Sequence, residues 1–227
     1  AMDPQQRLFL QEAWRAVEDA GYAAEDLAGK RGGVFVGTML GEYHDLLTHA
    51  HGGSPKAHEV TNFSCSVAGR VAHFLNLRGP ALSVDTASSS SLVALDMACT
   101  ALRAGEIELA LVGGVNLFLT EKCVRVLKGA GILSAAGECR PFDAGAKGTL
   151  PGEAVAAMVL KRLEDAVNDG DAIYGVIRST GSNQDGRTPG ITLPNAAAQQ
   201  ELMTEVLAKG EVKPAEVDYV EAHGTRA

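Results

Sequence analysis

Aromatic residues are scarce in this sequence, and their scarcity limits what the interior can be made of. Phe, Trp and Tyr together make up 5% of the 227 residues, whereas 46% are hydrophobic and 26 are glycines. We therefore expect an aliphatic core in which backbones approach one another closely at glycine. A chain of this length can bury a sizeable core alone, and we predict a single domain over residues 1–227.

Basic residues are also in the minority. The chain has 20 Lys and Arg against 28 Asp and Glu, which gives a formal net charge of −8. Because binding to phosphates needs clustered Lys and Arg, nucleic acid is not expected as a partner. An acidic partner would need a local basic patch. The candidates are Arg125, Lys128, Arg140, Lys161 and Arg162, and the alternative is that these five are simply solvated surface.

Other absences narrow the class of protein further. The four cysteines have neither metal-binding spacing nor the density of a secreted scaffold, so no metal site is predicted. No apolar run approaches the roughly 18 residues that span a membrane, and no signal peptide is visible, so the expected location is the cytoplasm. Walker A and Gly-x-Ser-x-Gly sequences are missing, which disfavours a P-loop or an α/β-hydrolase.

Helix and strand patterns alternate along the chain, with glycine-rich connections between them. The predicted helices cover residues 4–21, 62–74, 88–104, 121–127 and 196–208. The predicted strands cover residues 33–37, 81–85, 108–112, 154–160, 171–178 and 218–222, and residues 41–60 are predicted as a loop or broken helix. This alternation indicates an α/β fold around a mostly parallel sheet. The helix over 88–104 is apolar all round, which predicts burial on all sides.

The most informative stretch joins one of these strands to that helix. It runs Val84-Asp85-Thr86-Ala87-Ser88-Ser89-Ser90-Ser91-Leu92, an elbow of small residues. A nucleophile at the start of a helix gains from the partial positive charge of the free amides, and those amides can form an oxyanion hole. Ser88 is the candidate nucleophile, with Ala87 and Ser89 as the residues of the oxyanion hole and elbow. The alternative is that Ser88 to Ser91 only cap the helix, since serine is a preferred N-cap.

This elbow closely resembles the active-site turn of the β-ketoacyl synthases (ketosynthase domains) of modular polyketide synthases, in the thiolase superfamily. Further stretches resemble landmarks of that family in the same order. They are Met2-Asp3-Pro4-Gln5-Gln6-Arg7, Ser66-Val67-Ala68-Gly69-Arg70, Leu77-Arg78-Gly79-Pro80, Arg140-Pro141-Phe142-Asp143, Val159-Leu160-Lys161-Arg162-Leu163, Asn183-Gln184-Asp185-Gly186 and Glu221-Ala222-His223-Gly224-Thr225. The resemblance implies a thiolase-like layered fold, mostly its N-terminal half plus the start of the C-terminal half, with a buried helix after the elbow.

The same resemblance implies a function and its partners. In the family the position held here by Ser88 is a cysteine that accepts the acyl chain, and His223 matches the first of two assisting histidines. Acyl chains arrive on phosphopantetheine arms of acyl carrier proteins, so no cofactor is bound directly. The resemblance also implies a homodimer and neighbouring polyketide synthase domains as partners.

Departures from the family pattern determine the hypotheses about activity. The later lysine, the second histidine and most of the C-terminal half are not found, so we expect a truncated, partial ketosynthase-like domain. Such a chain should not catalyse decarboxylative condensation and would serve as a non-elongating structural or docking element. One alternative is an acyltransferase that holds an acyl chain as an oxyester on Ser88, with His223 as base. Another is an engineered cysteine-to-serine variant that traps an acyl chain.

Overall fold

The computed structural model describes residues 2–39, 41–52 and 57–225, and a four-stranded sheet lies at its centre. The strands are β1 (Gly32–Thr38), β2 (Ala81–Val84), β3 (Leu109–Asn116) and β4 (Ala154–Lys161). Their order is β2-β1-β3-β4; β2, β1 and β3 are parallel, and β4 is antiparallel to β3. The predicted α/β fold with a mostly parallel sheet is confirmed.

Helices fill most of the connections between these strands. They are α1 (Pro4–Asp19), α2 (Ala24–Leu27), α3 (Glu42–Ala50), α4 (Cys65–Phe74), α5 (Ser90–Arg103), α6 (Lys122–Gly129), α7 (Leu163–Asp169) and α8 (Ala196–Lys209). Short 3-10 turns lie at Ala57–Asn62 and Pro214–Glu216. Among the described helices, none has both the length and the apolar character that crossing a membrane requires.

Local sequence explains where α1 begins. Pro4 is its first residue, where a fixed φ suits the helix and the missing N–H is not needed. The Asp3 carboxylate accepts a hydrogen bond from the Gln5 amide at 2.8 Å and so caps the helix. The predicted N-cap is confirmed. The region 41–60, predicted as a loop or broken helix, contains α3 and the first 3-10 turn, while residues 53–56 lie outside the described residues.

The sheet is covered on both faces, which is why its central strands are continuous apolar runs. All seven residues of β1 are buried. Val34 and Val36 pack in one cluster with side chains of α1 and α4, such as Phe9. Phe35 points to the other face and packs with Ala94 and other residues of α5. Helices α1 and α4 therefore lie on one side of the sheet and α5 on the other.

Glycine lets the N-terminus of α5 lie directly on the central strands. A Cβ placed on Gly37 of β1 would be 2.4 Å from the Ser91 nitrogen and 2.7 Å from the Ser90 carbonyl carbon. A Cβ on Gly114 of β3 would be 3.1 Å from the Ser91 Cβ. Side chains at these two strand positions would push the helix away, so the two glycines fix where the elbow stands.

The chain divides into two compact units. Unit 1 consists of residues 1–119 and 153–176, and unit 2 of residues 120–152 and 177–227. Unit 1 holds the sheet and both core clusters. In the described part of unit 2, the only buried hydrophobic residues are Cys123 and Ala198. The expectation of a single domain over 1–227 stays a prediction beside this division.

Two strand predictions are wrong in this structure. Residues 171–178 and 218–222 contain no strand. The first of these segments follows α7, a helix absent from the sequence predictions, which ends at Gly170 with φ +74°. A strand exists only when its backbone N–H and C=O groups pair with a neighbour. Neither segment has a partner strand among the described residues, so apolar character alone did not suffice.

Burial of α5 is confirmed on the side that faces the sheet. Ala94 and Ala98 are 0% exposed and Leu102 is 5% exposed. The opposite side is open: Leu92 is 69% exposed and Met97 38% exposed. The prediction that this helix is buried on all sides was therefore too broad for the chain as it stands.

Candidate active site

A sharp backbone turn connects β2 to α5 and presents Ser88. Ala87 has φ +56°, in the left-handed region, which costs a residue with a Cβ roughly 1–2 kcal/mol. Ser88 follows directly and is exposed. In the described chain its hydroxyl has no hydrogen-bond partner, so it is open to a reactant. The structure thus places the predicted elbow residues together in one tight turn.

Neighbouring side chains hold this turn in its unfavourable conformation. Asp85 Oδ1 accepts a hydrogen bond from the Ala87 amide at 3.0 Å. Ser89 Oγ donates to the Thr86 carbonyl at 2.8 Å. Ser90 Oγ donates to the Ala87 carbonyl at 2.6 Å and accepts from the Thr86 amide at 2.8 Å. The side chains on either side of position 88 thus fasten the elbow.

These bonds bear on the alternative that the serines merely cap a helix. Ser89 occupies the N-cap position of α5, yet among the described residues its side chain makes no capping hydrogen bond. Its hydroxyl turns back to Thr86 instead. A serine cap would accept from an amide inside the first helical turn. The geometry therefore favours an elbow over a capped helix start.

The elbow lies at the positive end of a helix that is 14 residues long. A thiol in this place would have its pKa lowered below the usual value of about 8.5 and would react as the thiolate. A serine hydroxyl keeps its proton far more tightly, and it attacks a thioester only when a base removes that proton. The local field alone therefore suits a cysteine better than the serine that is present.

His223, the candidate base, lies in unit 2 and is exposed. The sequence predicts it at the end of a strand, but residues 218–222 form no strand. The next residue, Gly224, has φ +60°. Ser88 belongs to unit 1, so the candidate nucleophile and the candidate base lie in different units. The catalytic role of His223 stays a prediction.

Two of the basic residues considered for a surface patch, Lys161 and Arg162, make hydrogen bonds within the fold. Lys161 Nζ donates to Asp171 Oδ2 at 2.9 Å, and its side chain is 14% exposed. Arg162 Nη1 donates to two backbone carbonyl oxygens, each at 3.0 Å. Arg125 and Arg140 form ion pairs with glutamates close to them in sequence. The structure gives no support to these residues as one basic patch.

The ion pair between Lys161 and Asp171 belongs to a polar cluster at the edge of unit 1. The Tyr22 hydroxyl donates to Asp171 Oδ1 at 2.6 Å and accepts from Lys161 Nζ at 2.9 Å, and Lys161 also bonds Asp169. Hydrogen bonds from Lys161 and Tyr22 lower the pKa of Asp171. Burial opposes the charge of Lys161, but its bonds to Asp169 and Asp171 outweigh burial and raise its pKa. Hydrogen bonds between charged groups thus stabilise this edge of unit 1.

No metal centre is evident in the part of the chain that the structure describes. Nowhere among those residues do three or more His, Cys, Asp or Glu side chains meet in a group that could hold a metal ion. Cys99 and Cys123 are buried, whereas Cys65 and Cys139 are exposed, and none of these four thiols is joined in a disulfide.

Two residues that shape this elbow, Ser90 and Gly37, are not among the site residues predicted from the sequence. Ser90 is one of four consecutive serines, and nothing in that row shows which hydroxyl turns inward. Gly37 is the last residue of the predicted strand over 33–37. Its signal was available, because a glycine inside an apolar strand often marks a close backbone approach.

Comparison with protein-family models identifies both parts of the chain. Residues 1–166 match the β-ketoacyl synthase N-terminal domain, and residues 174–226 match the β-ketoacyl synthase C-terminal domain. Together these matches cover nearly every element described above. The elbow and the sheet lie within the first match, and His223 lies within the second.

Curated relatives are far longer than this chain. The chain is 46% identical, over 99% of its length, to a phenolphthiocerol/phthiocerol polyketide synthase of Mycobacterium tuberculosis, of which it covers 15%. It is 47% identical to polyketide synthase PksL of Bacillus subtilis, of which it covers 5%. The chain therefore spans a small part of each of these relatives.

Solved structures agree with the fold. The ketosynthase from module 6 of the bacillaene synthase of Bacillus subtilis, as a cysteine-to-serine mutant, is 48% identical, with a TM-score of 0.91. The oxazolomycin ketosynthase domain OzmH KS7 of Streptomyces albus is 41% identical, with a TM-score of 0.92. The chain is covered to 99% in both cases and covers 37% and 38% of those chains. The thiolase-like layered fold is thus confirmed for these residues.

Proposed function

The chain belongs to the β-ketoacyl synthase family and is of the polyketide synthase ketosynthase type, and on that premise we propose that it does not condense acyl units. It carries a serine where acyl transfer calls for a reactive thiol. We assign it a non-elongating role as a structural or docking element among polyketide synthase domains. The observation that carries this proposal is Ser88, exposed at the elbow without a hydrogen-bonded base among the described residues.

The chemistry of acyl loading explains the proposal. A thioester carbonyl would form a bond to Ser88 Oγ while its C–S bond breaks. The serine proton must leave, and the departing thiolate must gain a proton. A thiolate nucleophile needs no proton removal at that moment, whereas a hydroxyl needs a general base beside it. The helix N-terminus stabilises negative charge but accepts no proton. Loading on Ser88 should therefore be slow.

Carrier-bound acyl chains are the substrates we propose for this site. The relatives are polyketide synthases, and we infer that an acyl carrier protein presents its phosphopantetheine arm to the elbow. The chain itself would hold no cofactor. Neighbouring polyketide synthase domains would be its other partners, which accords with the small share of the relatives that it spans.

We also propose that the chain forms a homodimer. Strand β2 is an edge strand of the described sheet, and its Leu82 is 38% exposed. Edge strands with apolar side chains pair readily with a second chain. Light scattering should give twice the mass of one chain over a wide concentration range. A monomer at every concentration would contradict this part of the proposal.

Acyl loading tests the proposal directly. The chain, Ser88→Cys and Ser91→Cys would each be incubated with acyl carrier protein bearing an acetyl-phosphopantetheine thioester. Intact mass spectrometry would detect the acetyl adduct, and peptide mapping would locate it. We expect no adduct on Ser88, a thioester on Ser88→Cys, and none at position 91, a thiol control one helical turn along. Malonyl carrier protein would then be added to look for elongation.

Each outcome decides between the alternatives. A stable oxyester on Ser88 that disappears in Ser88→Ala would replace the proposal with the acyltransferase hypothesis, and its loss in His223→Ala would assign the base. An elongated product from the unaltered chain would refute the non-condensing role. Loading and elongation restored by Ser88→Cys would favour the engineered variant of an active ketosynthase. Absence of loading on Ser88→Cys would overturn the choice of position 88.

A further inference from the structure

The hydroxyl of Ser90 is buried and has two partners. Ser90 is 5% exposed, although it lies two residues after the exposed Ser88. Its Oγ accepts from the Thr86 amide at 2.8 Å and donates to the Ala87 carbonyl at 2.6 Å. A hydroxyl has one proton to donate and lone pairs to accept with. Both capacities are used here, which no apolar side chain can imitate.

These two bonds bracket the strained residue of the elbow. The Thr86 amide lies before Ala87 in the chain, and the Ala87 carbonyl lies after the bond whose φ angle is +56°. The Ser90 amide adds a third bond to the Ala87 carbonyl at 3.1 Å. Strained backbone persists only where its surroundings fix it from several sides. Ser90 supplies that fixation across the left-handed residue.

Ser90 is itself held against the sheet. Its carbonyl carbon is 2.7 Å from the place that a Cβ on Gly37 would occupy, and the Ser91 nitrogen is 2.4 Å from it. The backbone that carries this hydroxyl is therefore packed directly against strand β1. A turn bonded to such a point keeps one orientation.

From these contacts we infer that Ser90 is a positioning residue, whose hydroxyl closes the Ala87 turn and so sets the orientation of the side chain at position 88. The inference rests on the proposed role of position 88 as the acyl-accepting position. Without this hydroxyl, Ala87 relaxes from the left-handed region, and position 88 turns away from the free amides at the start of α5. The reactivity of a thiol at position 88 then falls.

Thiol alkylation tests this without any carrier protein. The reference is Ser88→Cys, to which Ser90→Ala, Ser90→Thr or Ser91→Ala is added. Iodoacetamide modification of each cysteine is followed by peptide mass spectrometry from about pH 5 to about pH 10, which brackets the ordinary thiol pKa. The exposed Cys65 and Cys139 calibrate the reagent, and the buried Cys99, which lies on α5 itself, reports any opening of the helix.

We expect Ser90→Ala to raise the apparent pKa of the thiol introduced at position 88. Its alkylation at neutral pH should slow about fivefold, the fold-change that corresponds to one hydrogen bond. Ser90→Thr should restore the profile, because it keeps the hydroxyl. Ser91→Ala should leave the profile unchanged, since the Ser91 hydroxyl has no hydrogen-bond partner in the described residues. Cys99 should stay unreactive throughout.

Two results would overturn the inference. One is an unchanged alkylation profile of the position-88 thiol in Ser90→Ala while Cys99 stays protected. The other is alkylation of Cys99 in Ser90→Ala, which would show that the hydroxyl only stabilises the helix. Because alkylation needs no acyl donor, absence of acyl loading alone would count against the proposed function and leave the Ser90 result standing.

Discussion

Units 1 and 2 use similar apolar residues with opposite results. In unit 1, Val34 and Val36 of β1 are 0% exposed and pair with β2 and β3. In unit 2, Tyr219 is 77% exposed and Val220 70% exposed, in a segment that was predicted as a strand. Both stretches have side chains that favour strands. Among the described residues, only the first stretch has neighbouring strands that bond its backbone and cover its side chains.

A strand is therefore a property of at least two segments. An apolar run gains its free energy when its surface leaves water, and its backbone groups need partners when they do so. Unit 1 brings four such runs together, whereas the described part of unit 2 brings none. Matched substitutions in the two units measure how far this contrast extends.

The largest contrast should come from truncating one isoleucine in each unit. Ile107 is 0% exposed in unit 1, and Ile191 is 104% exposed in unit 2. Ile107→Ala should lower the free energy of unfolding by about 2–5 kcal/mol because it leaves a cavity. Ile191→Ala should change it by less than about 0.5 kcal/mol. Urea unfolding followed by fluorescence of Trp14, the single tryptophan, reports unit 1 directly. Equal effects would erase the contrast.

The next contrast concerns glycines that face backbone or side chains. A Cβ on Gly37 would be 2.4 Å from a backbone nitrogen, whereas one on Gly181 of unit 2 would be 2.7 Å from a Val206 methyl group. Gly37→Ala should destabilise unit 1 by about 1–3 kcal/mol, because α5 must move off the sheet. Gly181→Ala should cost less, since side chains can shift. Urea unfolding followed by circular dichroism measures the free energy of unfolding of both variants. A larger loss of stability in Gly181→Ala would reverse the ranking.

The elements that could be predicted from sequence are those whose signal is local. The cap at Asp3, the buried run of β1 and the small-residue elbow all carry their cause within a few residues, and each is observed. The unpaired segments 171–178 and 218–222 depended on partners that local patterns do not reveal. The inward hydroxyl of Ser90 depended on a turn conformation, and helix α7 was hidden in a charged stretch. Long-range and conformational causes therefore account for the errors.

Removal of one ion pair in each unit should give a smaller difference in stability. In unit 1 the Lys161 and Asp171 side chains are 14% and 17% exposed, whereas Arg140 and Glu138 of unit 2 are 57% and 54% exposed. We expect Asp171→Asn to cost about 1.5 kcal/mol at neutral pH, the lower end of the range for a hydrogen bond to a charged group. We expect Glu138→Gln to cost less than about 0.5 kcal/mol, because water screens exposed pairs.

The stability lost in Asp171→Asn should depend on pH, because the pKa of Asp171 is lowered in the folded chain. Its contribution is fully present above the unfolded value of about 3.9 and disappears as pH falls through the lower folded value. The difference between the chain and Asp171→Asn should therefore be constant near neutrality and shrink below about pH 4. Urea unfolding at several pH values measures this. A difference that grows on acidification would contradict the charge-based account.

Removal of single hydroxyls gives the smallest and most selective contrast. The Tyr22 hydroxyl bonds both Asp171 and Lys161, whereas the Tyr219 hydroxyl, on an exposed segment, bonds Glu221 alone within the described part of the chain. Tyr22→Phe should cost about 1 kcal/mol and lower the Tm by roughly 2–4 °C, while Tyr219→Phe should leave it unchanged. Because both rings are retained, the comparison isolates the hydrogen bonds. A Tm that falls equally in both variants would mean that the segment around Tyr219 is held in the folded chain, and that its exposure understates its contribution to stability.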